Sequence, residues 1–367
     1  MSSSLPMLPI VKVAMPPKEV LMPAVEAVLY SGMIGEGEFV YQFEAAFAQL
    51  FGLQNVVATS SGTAALHLAM LLGGIEPGDE VITTSMTAEP TNTTILQMGA
   101  KPIFADVDSL TGNLDPSAVE ALITENTKAI CVVHYAGYPA RLTELRSIAD
   151  RHGLCLIEDC AHALGASYGN QSIGTIGDYS IFSFQAIKHM TTVDGGALVV
   201  KDAAKIAEAR RLRWFGLAKG VPRTEVDITR VGYKYNMHNV AAVIGLKQLE
   251  YITPLLKRHQ ANGRYLDQAL QNIPGLQPAK YEANAQSAYW LYTLLADDSD
   301  DVERILAEES VMASKLHRPN HFHSVFKEFV RPMPQLDAFY KKLIHVPCGW
   351  WVSDEDREKI VTALKRG

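Results

Sequence analysis

The sequence predicts an α/β fold: a large domain on a mainly parallel, mixed sheet covered by helices, then a smaller α/β domain. Three observations carry this. Between residues 55 and 200, short apolar runs that end in polar residues alternate with helical patterns. That alternation argues for parallel strands buried on both faces. After about residue 201 the texture turns to long helices, and from about 275 to mixed α and β. The chain has 367 residues, enough for a large core and two domains. We place them at 1–250, including the N-terminal segment, and 251–367.

In order, the region 20–50 reads as two helices around "SGMIGEGE". "NVVATS" (55–60) is strand-like, and "GTAALHLAMLLGG" (62–74) is a helix ending in glycines. "DEVITTS" (79–85), "KPIFADVD" (101–108), "KAICVVHY" (128–135) and "LCLIEDC" (154–160) are further strands. Helices are expected at 115–124 and 141–152. "SIFSF" (180–184) alternates polar and apolar residues, and Ala197–Val200 is a last apolar run. "AAKIAEARRLRWFG" is helical, and "NVAAVIGLKQLEYITPLLKRHQANGRYLDQALQNI" is one long helix leading out of the sheet. A final helix spans 354–365, with Ser353 as its N-cap.

Composition narrows the function. Hydrophobic residues are 48% and charged residues 20%, with net charge −7. No basic field for nucleic acid is expected. Cys131, Cys155, Cys160 and Cys348 lack metal-ligand spacing and read as free thiols of a reducing cytoplasm. Pro6, Pro9 and Lys12 interrupt the N-terminal apolar residues, so no signal peptide is expected. No apolar run reaches membrane-spanning length.

In parallel sheets, ligands sit at the carboxyl ends of strands, and three groups of residues fall there. In "ATSSGTAALHLAM" a strand runs through Ser60-Ser61-Gly62-Thr63 into a helix. Free amides and the helix dipole favour an anion there, and Gly62 admits a phosphate closely. Taken alone, the stretch is also a plain N-cap. In "LCLIEDCAHALGASY" an apolar strand delivers Glu158, Asp159 and then His162. Buried carboxylates need a cationic partner, although an N-capping Asp159 beside a solvated Glu158 would read the same. Lys188, alone on a polar loop between two strands, is an amine able to condense with an aldehyde once burial lowers its pKa. Most lysines on loops are merely solvated.

Together, a phosphate cradle, an acid for a ring nitrogen and an aldehyde-capturing lysine describe one ligand, pyridoxal 5'-phosphate. Ser183 adds a hydroxyl for the phosphate, and about 30 residues separate acid from lysine. Neither the G-x-G-x-x-G fingerprint nor a P-loop is present, which argues against a dinucleotide or nucleoside triphosphate.

With these motifs the chain resembles the DegT–StrS sugar aminotransferases, within the fold-type I (aspartate aminotransferase-like) enzymes, and their lipopolysaccharide-sugar branch. "SGMIGEGEFVYQFEAAFAQLFG", "SSGTAALHLA", "GAKPIFADVD", "IEDCAHALGASY", "FSFQAIKHMTTVDGGAL" and "GYKYNMHNVAAVIGLKQL" follow in family order. The resemblance implies that Lys188 bonds the cofactor and relays the proton, and that Asp159 pairs with the pyridine nitrogen. It implies His162 at the phenolic oxygen, and Gly62, Thr63 and Ser183 at the phosphate. From a neighbouring subunit it implies Asn236, with Lys234 second, so that a homodimer shares its two sites. Ala88 stands where the family usually has an aromatic residue stacked on the ring. Histidine in place of the lysine marks the family's dehydratases, so Lys188 favours transamination, and His189 beside it is read as structural.

The reaction so implied moves the amino group of L-glutamate to a carbonyl-bearing sugar, a nucleotide-linked keto-deoxysugar of lipopolysaccharide or O-antigen biosynthesis. "RWFGL" and "HVPCGWW" also suggest the same chemistry on a free 8-oxo octulosonate, giving the 8-amino sugar. His317, Arg318, His321 and His323 are candidates for the acceptor pocket. A silent member of the fold, binding cofactor or sugar as a regulator, is the alternative of another class.

Overall fold

The computed structural model describes residues 7–366, so the start of the N-terminal segment through Pro6 lies outside them. Seven strands form the main sheet: β1 (Val56–Thr59), β2 (Glu80–Thr84), β3 (Lys101–Ala105), β4 (Thr127–Val133), β5 (Cys155–Asp159), β6 (Tyr179–Ser183) and β7 (Gly196–Val200). Their order is β1-β7-β6-β5-β4-β2-β3. β7 pairs antiparallel with both β1 and β6, and the remaining pairs are parallel. The sheet is therefore mixed but mostly parallel, as the alternating pattern predicts. β5 and β6 lie at its centre, where both faces are covered.

Helices cover each face, one by an apolar stripe and one by burial nearly all round. Helix Glu38–Phe51 buries Val40, Phe43 and Phe47, spaced to share one stripe. Phe47 meets Phe182 of β6 at 5.4 Å between ring centroids, and Phe43 meets Phe184 at 5.5 Å. Burying each such ring contributes on the order of 2–3 kcal/mol, and the contacts fix where β6 ends. On the opposite face, helix Gly62–Leu72 is buried nearly all round.

A second, three-stranded antiparallel sheet joins Leu276–Pro278, Tyr292–Ala296 and Leu343–Val346. The 32-residue helix Asn239–Leu270 connects the two cores. It places Ala241, Ala242, Ile252 and Leu256 in the first and Leu266 and Leu270 in the second. A boundary drawn at 250/251 falls inside this continuous helix. The N-terminal segment reaches the second sheet's side, where the Leu8 amide donates to the Ser310 carbonyl and the Met312 amide to that of Leu8.

The helix expected at 115–124 is shorter, Pro116–Glu120. Asp115 caps it, but Thr124 turns its hydroxyl to Glu80 and donates its amide N–H to the Thr127 hydroxyl. That local side-chain turn competes with another helical turn. At the other end of the chain, Ser353 and Asp356 form a capping box at the start of Asp354–Leu364.

Candidate active site

The carboxyl ends of β1, β5 and β6 open onto one cavity of about 370 Å³. Its wall includes Gly62, Thr63, Ala88, Asp159, His162, Ser183, Lys188 and His317.

At helix Gly62–Leu72, Ser61 is the N-cap and its hydroxyl accepts from the Ala64 amide at 3.0 Å. The Ala65 amide donates to the Ser61 carbonyl. That leaves the Gly62 and Thr63 amides as the donors a helix N-terminus offers an anion. A Cβ at Gly62 would come within 2.9 Å of Ser183 Cβ. One at Gly196 would come within 2.5 Å of the Ser61 carbonyl. Glycine at both positions lets the loop, Ser183 and β7 close up around a small ligand.

Asp159 ends β5 at 4% exposure. Its Oδ2 accepts from Thr91 Oγ1 at 2.8 Å and its Oδ1 from the Ala161 amide at 3.1 Å. Burial raises its pKa, and those two donors with the Lys188 charge pull only part of the way back. A carboxylate so placed favours a cationic partner. Glu158, its neighbour, points the other way and is a structural group. His134 Nε2, the amides of Gly174, Ile176 and Gly177, and Ser180 all meet its carboxylate. The solvated Glu158 of the plainer reading is thus corrected.

Lys188 sits on the loop joining β6 to β7, which the Phe184–Gly195 and Thr192–Phe184 backbone bonds pinch closed. Part of its surface stays open to the cavity, while protein crowds its nitrogen. Burial lowers its pKa to about 8, although the Asp159 charge pulls it upward. Its Nζ stands 4.2 Å from the centroid of the Trp290 ring. His162 is pushed well below its ordinary range by burial, so it is neutral, and its Nδ1 is buried without a partner. His189 faces away, with Nε2 at the Ala288 carbonyl and its ring against His259, a structural placement.

Ala88 caps helix Glu89–Gln97 with backbone alone and leaves one wall of the cavity open. His317 lies on that cavity with its ring parallel to His162, 5.8 Å between centroids and 8° between planes. Burial lowers its pKa to about 4. Arg318, His321 and His323 are outside the cavity wall. His321 bonds Ser85 Oγ at 2.8 Å through Nδ1. Arg318 donates to His323, whose Nε2 lies 3.6 Å from Glu89, a residue of the cavity rim. Asn236 and Lys234 are also outside it. Asn236 is buried, bridges to Thr59 and accepts from Lys234 Nζ at 2.8 Å.

Sequence reasoning missed Thr91 and Trp290. Thr91 carried a readable signal: it follows Thr87 by one helical turn where β2 gives way to a helix, and the two hydroxyls meet at 3.0 Å. Trp290 carried none, being about 100 residues from the lysine it faces.

These residues fit pyridoxal phosphate. The donor set is right for its phosphate, and the glycine pair would lose the cradle to any side chain. A buried acid with few donors suits a protonated ring nitrogen, and the unpartnered His162 Nδ1 suits its hydroxyl. Among the described residues, His134, Glu158 and Cys160 are the one trio within metal-binding reach of each other. The donors already on Glu158 account for it without an ion.

Comparison with known proteins agrees with this geometry. The model of the DegT/DnrJ/EryC1/StrS aminotransferase family matches residues 17–365. The spore coat polysaccharide biosynthesis protein SpsC of Bacillus subtilis is 35% identical over 356 residues, 92% of this chain and 91% of that protein. The crystal structure of AtS13 from Actinomadura melliaura superposes with TM-score 0.96 at 34% identity, over 99% of this chain and 100% of that one. The sugar aminotransferase CalS13 from Micromonospora echinospora gives 0.95 at 36%, over 98% and 100%. The chain therefore belongs to the DegT/DnrJ/EryC1/StrS family of pyridoxal phosphate-dependent sugar aminotransferases.

Proposed function

We propose that this aminotransferase takes the amino group of L-glutamate and delivers it to a nucleotide-linked keto-deoxysugar for a cell-surface polysaccharide, such as lipopolysaccharide O-antigen. The observation that carries the reading is one buried amine, Lys188, sharing a cavity with one buried acid, Asp159, at the mouth of a helix N-terminus. The likeness to a spore coat polysaccharide protein supports a surface-polysaccharide acceptor.

When bound, pyridoxal phosphate supplies an aldehyde for an amine and an electron sink for the carbon that loses a proton. Lys188 Nζ holds the cofactor and, when free, moves the proton. With its pKa near 8, part of it is neutral at physiological pH and able to accept. Asp159 keeps its charge for the ring nitrogen. Gly62, Thr63 and Ser183 grip the phosphate, and His162 orients the hydroxyl side. Ala88 and His317 border the acceptor's space, with Arg318, His321 and His323 further out. Asn236, with Lys234 behind it, serves the phosphate of the neighbouring subunit, in a homodimer that works in the cytoplasm. Among the described residues no helix is long and apolar enough to cross a membrane.

The test is spectral. Purified protein should be yellow, lose the band on adding L-glutamate, and regain it with a nucleotide-linked keto sugar. Lys188→Ala should retain cofactor weakly and turn nothing over. A band indifferent to glutamate would mark a silent binder. Recovery with free 8-oxo octulosonate alone would move the acceptor away from nucleotide sugars.

A further inference from the structure

Trp290 makes three contacts at and around the reactive lysine. Its indole face lies 4.2 Å from Lys188 Nζ. Its Nε1–H donates to the carbonyl of Ile187, the residue before the lysine, at 2.9 Å. The His162 ring stacks on it at 4.0 Å and 18°. The residue is 2% exposed.

The seat is built around it. Ser287 Oγ and the Ala288 amide both donate to the Gly137 carbonyl, and the Leu291 amide donates to that of Ala136. Gly137 holds φ +99, and a Cβ there would come within 2.8 Å of the Trp290 amide nitrogen and 2.9 Å of the His162 carbonyl. Tyr289 is held at φ +46, with His259 Nδ1 and Cys348 Sγ at its carbonyl. Non-glycine backbone in that region is unfavourable and persists where the surroundings enforce it.

We propose that Trp290 is the positioning residue of the catalytic lysine: its face holds the Lys188 ammonium whenever that nitrogen is free of cofactor, and its N–H fixes the loop from which the amine reaches. An aromatic face suits this task. It attracts a desolvated cation, yet offers no acceptor that would bind the amine as tightly as a carboxylate. Asp159 faces the same nitrogen, but its oxygens already accept from Thr91 and Ala161. The other titratable groups around Lys188 are His162, His317 and His189, with Asp194 and Glu89 on the cavity wall. The test leaves all of them in place.

The inference rests on Lys188 being the cofactor-bearing amine, yet it is measured without cofactor. Trace acetylation of Lys188 in the full chain freed of cofactor, quantified by mass spectrometry across pH, gives the midpoint of its titration. A face that stabilises the ammonium raises that midpoint, so Trp290→Leu should lower it by about one pH unit and Trp290→Phe by only a few tenths. Tryptophan carrying one, two or three ring fluorines keeps the shape but weakens the face, and should lower the midpoint stepwise even if the leucine variant fails to fold. In the loaded enzyme kcat should fall in Trp290→Leu while KM for the donor holds, with partial recovery in Trp290→Phe. A midpoint unmoved or raised by fluorination overturns the proposal. Full turnover in Lys188→Ala would instead sink the reading of the lysine itself.

Discussion

Replacing Lys188 by methionine should stabilise the cofactor-free protein at neutral pH. Burial brings the amine from 10.5 to about 8. The folded chain therefore holds that proton less firmly than the unfolded chain. Below about pH 8 this opposes folding in full; between about 8 and 10.5 the opposition fades; above 10.5 it is gone. The gap from 10.5 to about 8 corresponds to about 3 kcal/mol. Two effects reduce it. The Trp290 face returns about 1 kcal/mol, and water in the open cavity screens part of the rest. About 1–2 kcal/mol should remain. Methionine matches the lysine stem and fills the same space without charge. Urea unfolding of both proteins, at one protein concentration and near pH 7, should show the variant ahead. Near pH 10.5 the advantage should shrink towards zero. A variant as stable as the parent at pH 7, or less so, would refute a desolvated amine at 188.

Three further outcomes follow from individual contacts. Thr91→Val removes the hydroxyl on Asp159 Oδ2; a hydrogen bond to a charged group is worth about 1.5–3 kcal/mol. The acid limb of the pH–rate profile should therefore rise by one to two units and cofactor retention should weaken, while Thr91→Ser restores both. Gly62→Ala forces a Cβ to 2.9 Å from Ser183 Cβ, so equilibrium dialysis should show cofactor affinity reduced roughly tenfold or more with the fold intact by circular dichroism. Arg213 is 1% exposed and donates to Glu44, Glu36 and the Ala58 carbonyl. Arg213→Met leaves Glu44 with Arg210 and Glu36 with Lys219 as their remaining cations, so the cost should stay below the roughly 3–5 kcal/mol of a stranded buried charge, read as a lower midpoint in urea.

How much of this was legible depended on the range of the interaction. Strand and helix placement rests on local periodicity, so β1 to β7 and the helices at 62–72 and 142–152 stand where the pattern put them. That the loop at 60–63, Asp159 and Lys188 share one cavity was readable because each ends or follows a strand, and strand ends of a parallel sheet converge. Trp290 was not readable, because its position depends on Gly137, His259 and Cys348, none near it in sequence. Nor was the separation of His317 from Arg318, His321 and His323. Four polar residues on one loop look alike in sequence, and only the packing of Ser85 and Glu89 sorts them.

The adjacent carboxylates of β5 show why sequence could locate the acid but not choose it. Side chains alternate along a strand, so Glu158 and Asp159 must face opposite sides of the sheet. Both are buried, and burial alone would raise both pKa values. Around Glu158 the His134 bond and the glycine amides outweigh it, and its pKa falls below the ordinary carboxylate value. Around Asp159 one amide and one hydroxyl do not, and its pKa stays raised. Glu158 has its partners within the protein, so its charge has no further use. Asp159 lacks a close cation, and its side of the sheet opens onto the cavity that Lys188 shares. A ring nitrogen placed there would gain a proton and give Asp159 the partner the fold withholds. The shortage of donors around Asp159 is thus what singles it out, over Glu158, as the acid of the proposed function.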